Sequence, residues 1–151
     1  MGSMKVTMLL ADSAQEIAGK LYILGGGWSI TTPGTPSAIA MKFEVPWDQA
    51  NQRHEIVLEL VTADGEPVLV ATPDGEQVPL RIEGVLEVGR PAGLKPGTPI
   101  DAAMAMNLGP LPLEADERYQ WRLSVDGRQD EDWTLAFSTR LAPPGELQPP
   151  A

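Results

Sequence analysis

The sequence predicts an all-β fold: an antiparallel two-sheet sandwich, immunoglobulin-like or C2-like, with about eight or nine strands and at most one short helix. Glycine and proline number 15 each, and their dispersal divides the chain into short elements joined by turns. Several segments alternate apolar and polar side chains with the period of a strand. Because a single open sheet would leave an apolar face in water, we expect two packed sheets.

The N-terminal half contains four predicted strands and one short helix. The strands cover residues 5–11, 20–24, 38–45 and 54–61, and residues 28–31 could continue the second of them. We expect a turn over residues 12–19, and a bend where the second strand meets Gly25, Gly26 and Gly27. Residues 46–53 predict one or two helical turns, with Asp48 as a candidate N-cap.

The C-terminal half contains five further strand segments. They cover residues 67–71, 77–88, 102–108, 119–125 and 133–137. Tyr119 lies two residues before the apolar Trp121, as in the tyrosine corner of immunoglobulin-like folds, in which the hydroxyl bonds back to the preceding corner. We therefore hypothesise such a corner at Tyr119, with Trp121 and Trp133 in the core.

The 151 residues are about the length of one domain. Met1, Gly2 and Ser3 ahead of Met4 are typical of a cloning remnant. We expect one domain over residues 4–141, followed by a Pro-rich flexible tail over residues 142–151.

Composition excludes several classes of function. The net charge of −10 and pI near 4.4 oppose nucleic-acid and anionic-membrane binding, which depend on Lys and Arg. The chain has no cysteine, so disulfide and thiol chemistry are excluded. We expect no cofactor and, without an apolar span or signal peptide, a cytoplasmic location.

His54 is the only histidine, so any histidine base or Ser-His-Asp triad must use it. No serine lies in a recognisable nucleophile elbow, and we predict no catalytic residue. A lone histidine at a strand edge is more often structural, although His54 stays a candidate binding residue.

Acidic side chains crowd one predicted hairpin loop. Asp126, Asp130 and Asp132, with Glu131 among them, could supply the oxygen ligands that Ca²⁺ prefers. Their spacing differs from an EF-hand, and a solvated hairpin tip is the alternative.

Trp28 and Trp47 lie at element ends beside glycines and Pro46, respectively. Either ring could anchor a ligand or a partner protein, or cap the end of the sandwich. The three glycines before Trp28 favour a bend over a phosphate cradle, because no phosphate-binding motif accompanies them.

Three segments carry a resemblance: LADSAQ at residues 10–15, GKLYILGGGW at 19–28 and VPW at 45–47. On these residues the chain resembles a family of uncharacterised bacterial β-sandwich proteins, best represented among actinobacteria, over residues 4–140. The resemblance implies a bacterial, intracellular β-sandwich and assigns no activity or site.

We expect a non-enzymatic protein-binding or assembly module, because sandwiches present loops and edges to partners and no catalytic set is visible. Edge strands make self-association, a homodimer, the first form to test. The alternative is a small hydrolase or carbohydrate-binding protein that uses carboxylates near Trp28 or Trp47.

Overall fold

The computed structural model describes residues 4–141. The expected cloning remnant and Pro-rich tail lie outside these residues. The described residues form eleven strands and one 3₁₀ turn, η1. In chain order the elements are β1 Lys5–Ile17, β2 Lys20–Gly26, β3 Ile30–Thr31, β4 Ser37–Val45, η1 Trp47–Gln49, β5 His54–Thr62, β6 Leu69–Ala71, β7 Gln77–Pro79, β8 Arg81–Leu86, β9 Ile100–Leu108, β10 Arg118–Val125 and β11 Arg128–Thr139.

The strands form a four-stranded sheet of order β2-β1-β4-β9, a five-stranded sheet of order β3-β11-β10-β5-β8, and the hairpin β6-β7. Every pair in the described chain is antiparallel except β3 with β11. The predicted all-β, antiparallel class is confirmed. The predicted arrangement is corrected, because the described part of the chain forms eleven strands that curl as a half-barrel rather than a clear two-sheet sandwich of eight or nine.

The main core lies between the two sheets and follows strand alternation. In β4, Ile39 and Met41 point into it with no exposed surface, as the period of two predicts. Trp121 and Trp133 are also buried in it, which confirms their predicted core position. Burial of each such large side chain contributes roughly 1.5–3 kcal/mol.

Several local predictions differ from the structure. Instead of turning at residue 12, β1 continues to Ile17, because its polar side chains Asp12, Gln15 and Glu16 are exposed to water within the strand. The segment 77–88 divides into β7, which pairs with β6, and β8, which pairs with β5. The short helix is a single 3₁₀ turn, and its N-cap is Pro46 rather than Asp48, with no side-chain cap.

The tyrosine corner is present. The hydroxyl oxygen of Tyr119 accepts a hydrogen bond of 2.8 Å from the backbone N–H of Glu114, five residues earlier. The Tyr119 ring also stacks on Phe137, with ring centroids 5.7 Å apart. The corner therefore fixes the entry to β10 by the contact that the spacing predicted.

Candidate functional site

β1 and β2 bend together at Asp12 and Gly25. The two strands are in register on either side, but the pair Asp12–Gly25 is missing. Gly25 has φ of +60°, and a Cβ there would overlap the Asp12 carboxylate. Ala11 and Ala14 are three residues apart yet buried in one cluster, so strand alternation breaks once between them. Beyond this break, residues 13–24 form a hairpin that we call the arm.

The arm folds back onto β4 and β9 of its own sheet, on the face that is turned away from the main core. Ala38 and Ala40 alternate with the core residues of β4, so they lie on this opposite face. They form a second buried cluster with Ala11 and Ala14. Leu21, Ile23 and Ala105 pack against this cluster. Alanines at this contact let the arm approach the sheet closely.

Asn107 fixes the arm to β9. Its side-chain Nδ2 donates a hydrogen bond of 2.6 Å to the carbonyl oxygen of Ala14, and its Oδ1 accepts one of 3.1 Å from the Ala14 N–H. The amide thus pairs with both backbone groups of Ala14 as a neighbouring strand would. These bonds hold the arm in one orientation on the sheet.

The outer face of the arm exposes apolar side chains. Leu24 is 71 % exposed, Tyr22 53 % and Ile17 52 %. Register places them beside three further residues on the same surface. We call this surface the arm face, and it consists of Ser13, Gln15, Ile17, Lys20, Tyr22 and Leu24. β2 is the edge of its sheet in the described chain, so the arm face adjoins an unpaired strand edge.

Trp47 is half-buried and held by Arg90. The guanidinium of Arg90 lies 4.4 Å from the centre of the Trp47 ring and donates to the Trp47 carbonyl oxygen at 2.8 Å. Trp47 lines a groove of about 490 Å³ beside the carboxylates of Glu44 and Asp48. The Trp47 ring therefore lies in a groove that also contains two carboxylates. The alternative function in the sequence analysis requires carboxylates near Trp28 or Trp47.

Trp28 is half-buried and packs against the main core. Its ring meets Phe137 edge to face, with centroids 6.4 Å apart. It lies near the start of β4, whereas Trp47 follows the end of β4, so the two tryptophans do not form one site. The contacts of Trp28 favour the capping alternative over the exposed anchor.

His54 is buried, with 4 % of its surface exposed, and both ring nitrogens have acceptor partners. Nδ1 lies 2.7 Å from a carboxylate oxygen of Asp126, and Nε2 lies 2.9 Å from the carbonyl oxygen of Gln49. Only the doubly protonated ring can donate to both. Burial lowers the pKa of His54, but the bond to Gln49, the bond to Asp126 and its charge together raise it above 6.5.

The pKa of Asp126 moves the other way. Burial raises it, but the hydrogen bond from His54, the bond from the Glu55 N–H and nearby positive charge lower it below 3.8. The stability that protonated His54 contributes to the folded state is complete below pH 6.5 and is lost as pH rises through its folded pKa. The contribution of Asp126 is present above pH 3.8 and is lost as pH falls through its folded pKa. The arrangement of His54 is that of a structural pair.

Asp130 and Asp132 lie in β11 rather than in the predicted hairpin loop. Asp126 is engaged with His54, and Asp130 accepts a hydrogen bond from the Asp132 N–H. Across residues 4–141, no three His, Asp or Glu side chains lie close enough together to hold an ion. The calcium hypothesis gains no support from this geometry. It stays a prediction, which a melting temperature indifferent to millimolar Ca²⁺ and chelator would refute.

Sequence reasoning missed Asn107 and the alanine contact. Asn107 is the one uncharged polar side chain in a strand of alanine, methionine and leucine, and asparagine is disfavoured in strands. An asparagine in such a strand could have indicated a side chain that hydrogen-bonds to backbone groups of another segment. The alanines gave no signal, because their burial depends on where the arm folds.

A family model matches residues 6–138, described as a family of unknown function, DUF6941. The chain belongs to the DUF6941 family. This confirms the expected membership of an uncharacterised family. No curated protein and no solved structure matches the chain. In the part of this DUF6941 protein that the structure describes, no helix is long and apolar enough to cross a membrane.

Proposed function

We propose that this DUF6941 protein is a non-enzymatic protein-binding or assembly module whose recognition surface is the arm face. The observation that carries the proposal is the exposure of Ile17, Tyr22 and Leu24 on one hairpin. Exposed apolar side chains grouped beside polar ones are typical of interaction sites.

The support beneath the arm strengthens the proposal. The arm rests on buried alanines and is bonded to Asn107 through both backbone groups of Ala14. A surface held in one conformation loses little entropy when it binds. The edge of β2 adds unpaired backbone groups, which a partner strand can use.

A comparison of baits tests the proposal. The tagged wild-type chain and a Tyr22→Lys variant are each used to capture proteins from a lysate of the native host. Because a charge at the centre of the arm face opposes apolar contact, we expect a specific partner with the wild type and about tenfold less with Tyr22→Lys.

Val85→Lys is the matched control, because Val85 is an exposed apolar residue on a strand of the other sheet. The same partner should be recovered with this control bait as with the wild type. Equal recovery by all three baits, or no specific partner with any, contradicts the proposal.

A second candidate is carbohydrate binding or hydrolysis at the Trp47 groove. The ring beside Glu44 and Asp48 favours it, because aromatic rings pack against sugars and paired carboxylates perform glycoside hydrolysis. Tryptophan fluorescence titrated with a panel of oligosaccharides, together with an assay for released reducing sugar, tests it. A response lost in Trp47→Leu supports it, and unchanged fluorescence without sugar release counts against it.

The finer expectations from the sequence complete the proposal: a cytoplasmic location and a bacterial source. Their support is the acidic, cysteine-free composition and the sequence resemblance.

A further inference from the structure

The backbone of the arm defines which groups face its free edge. Ala18 and Gly19 form a two-residue turn with φ of 51° and 80°, the signature of a type I′ hairpin. In such a hairpin the closing pair, Ile17 and Lys20, is hydrogen-bonded. Alternation from Lys20 then directs the N–H and C=O groups of Leu21 and Ile23 away from β1, toward the open edge.

We infer that this edge binds a second copy of the same chain, with β2 antiparallel to its counterpart about a two-fold axis through Tyr22. The inference rests on the proposed function and names its partner. In this register Leu21 lies opposite Ile23 of the second copy, and the outward backbone groups of both residues are paired. The pairing would join two four-stranded sheets into one of eight.

The side chains suit this register. Tyr22 faces Tyr22 of the second copy in a non-hydrogen-bonded pair, in which cross-strand aromatic contacts are close. Lys20 falls opposite Leu24, so its aliphatic stem covers that side chain while its ammonium stays in water. The most exposed apolar residue of the arm face is therefore covered.

Charge selects this edge over the others. Each copy carries a net charge of −10, so two copies repel one another over most of their surfaces. The arm face has no carboxylate and contributes Lys20. By contrast, the edge strand β8 carries Glu83, 3.5 Å from Arg81 of the same strand, and the edge strand β9 carries Asp101, 3.7 Å from Lys42 of β4. Among the described edges, β2 is therefore the one that presents a cation and no carboxylate. The fourth edge of the two large sheets, β3, has two residues.

Single cysteines test the register, because the chain has no cysteine of its own. A non-hydrogen-bonded antiparallel pair places Cα atoms about 4.5 Å apart, within the range of a disulfide. The variants Tyr22→Cys, Leu24→Cys and Val85→Cys are oxidised in parallel. We expect about tenfold more disulfide-linked dimer for Tyr22→Cys than for the other two. Equal linkage of all three would overturn the inference.

Charge exchange tests the same contact without oxidation. By native mass spectrometry at micromolar concentration we expect a dimer for the wild type, monomers for Tyr22→Lys and for Tyr22→Glu, and a mixed dimer when the two variants are combined. A monomeric wild type would overturn the inference. If the wild-type bait then still captures a different protein through Tyr22, the proposed function stands with another partner; if it captures none, both fail.

Discussion

Replacement of Asn107 by alanine removes the bonds that hold the arm to β9. Two partly buried hydrogen bonds are lost, of 2.6 and 3.1 Å. Each contributes about 0.5–1.5 kcal/mol net, so we expect Asn107→Ala to lower the free energy of unfolding by about 1–3 kcal/mol. At this chain length each kcal/mol lowers the melting temperature by about 2–4 °C.

Amide hydrogen exchange shows which part of the structure loses stability in Asn107→Ala. The amide of Ala14 donates to Asn107, so its exchange should accelerate in Asn107→Ala, whereas the amide of Leu60 in the other sheet should change only through global stability. Asn107→Asp is the matched variant, because a carboxylate still accepts from the Ala14 N–H but cannot donate to its C=O. Its Ala14 amide should therefore remain the better protected of the two variants.

If Asn107→Ala has the urea-unfolding free energy of the wild type and an unchanged exchange rate at Ala14, the Asn107 side chain does not hold the arm to β9. The arm would then be held by alanine packing alone. Equal acceleration of exchange in the alanine and aspartate variants would show that the acceptor role of Asn107 is unimportant.

Three further predictions concern stability. Tyr119→Phe leaves the Glu114 N–H without its acceptor and should cost about 0.5–1.5 kcal/mol; a urea-unfolding curve identical to the wild type would exclude the corner. His54→Gln should be less stable than the wild type at pH 5, with the difference shrinking as pH rises above 6.5; a gap that widens with pH would contradict the charged pair. Gly25→Ala forces a side chain into positive φ and onto Asp12, so thermal melting should show a loss of about 1 kcal/mol or more; an unchanged melting temperature would refute the bend.

The sequence predicts elements in which alternation and burial agree. β4 and β10 are within one residue of their predicted bounds, because alternating apolar residues point into one core. The glycine bend and the tyrosine corner were also predictable, because each depends on a residue type with a specific backbone or hydrogen-bonding role.

The candidate site was predictable only in part. The polar residues of 12–17 predict a turn, yet Ser13, Gln15 and Ile17 form the outer surface of a folded arm. Strand alternation is a local signal, whereas the contact of the arm with Asn107 joins residues 93 positions apart. Tertiary folding of this kind decides which face of a hairpin is buried, so the exposed Tyr22 and Leu24 could not be identified from periodicity.

Site-specific photo-crosslinking can show whether the arm face is a recognition surface. A photo-reactive amino acid replaces either Leu24 or, as a control, Leu69, an exposed apolar residue on β6. We predict that irradiation in the native host links position 24 to one defined polypeptide, a second copy or another protein, and links position 69 to none. Absence of a product at 24, or the same products at both positions, would contradict the claim.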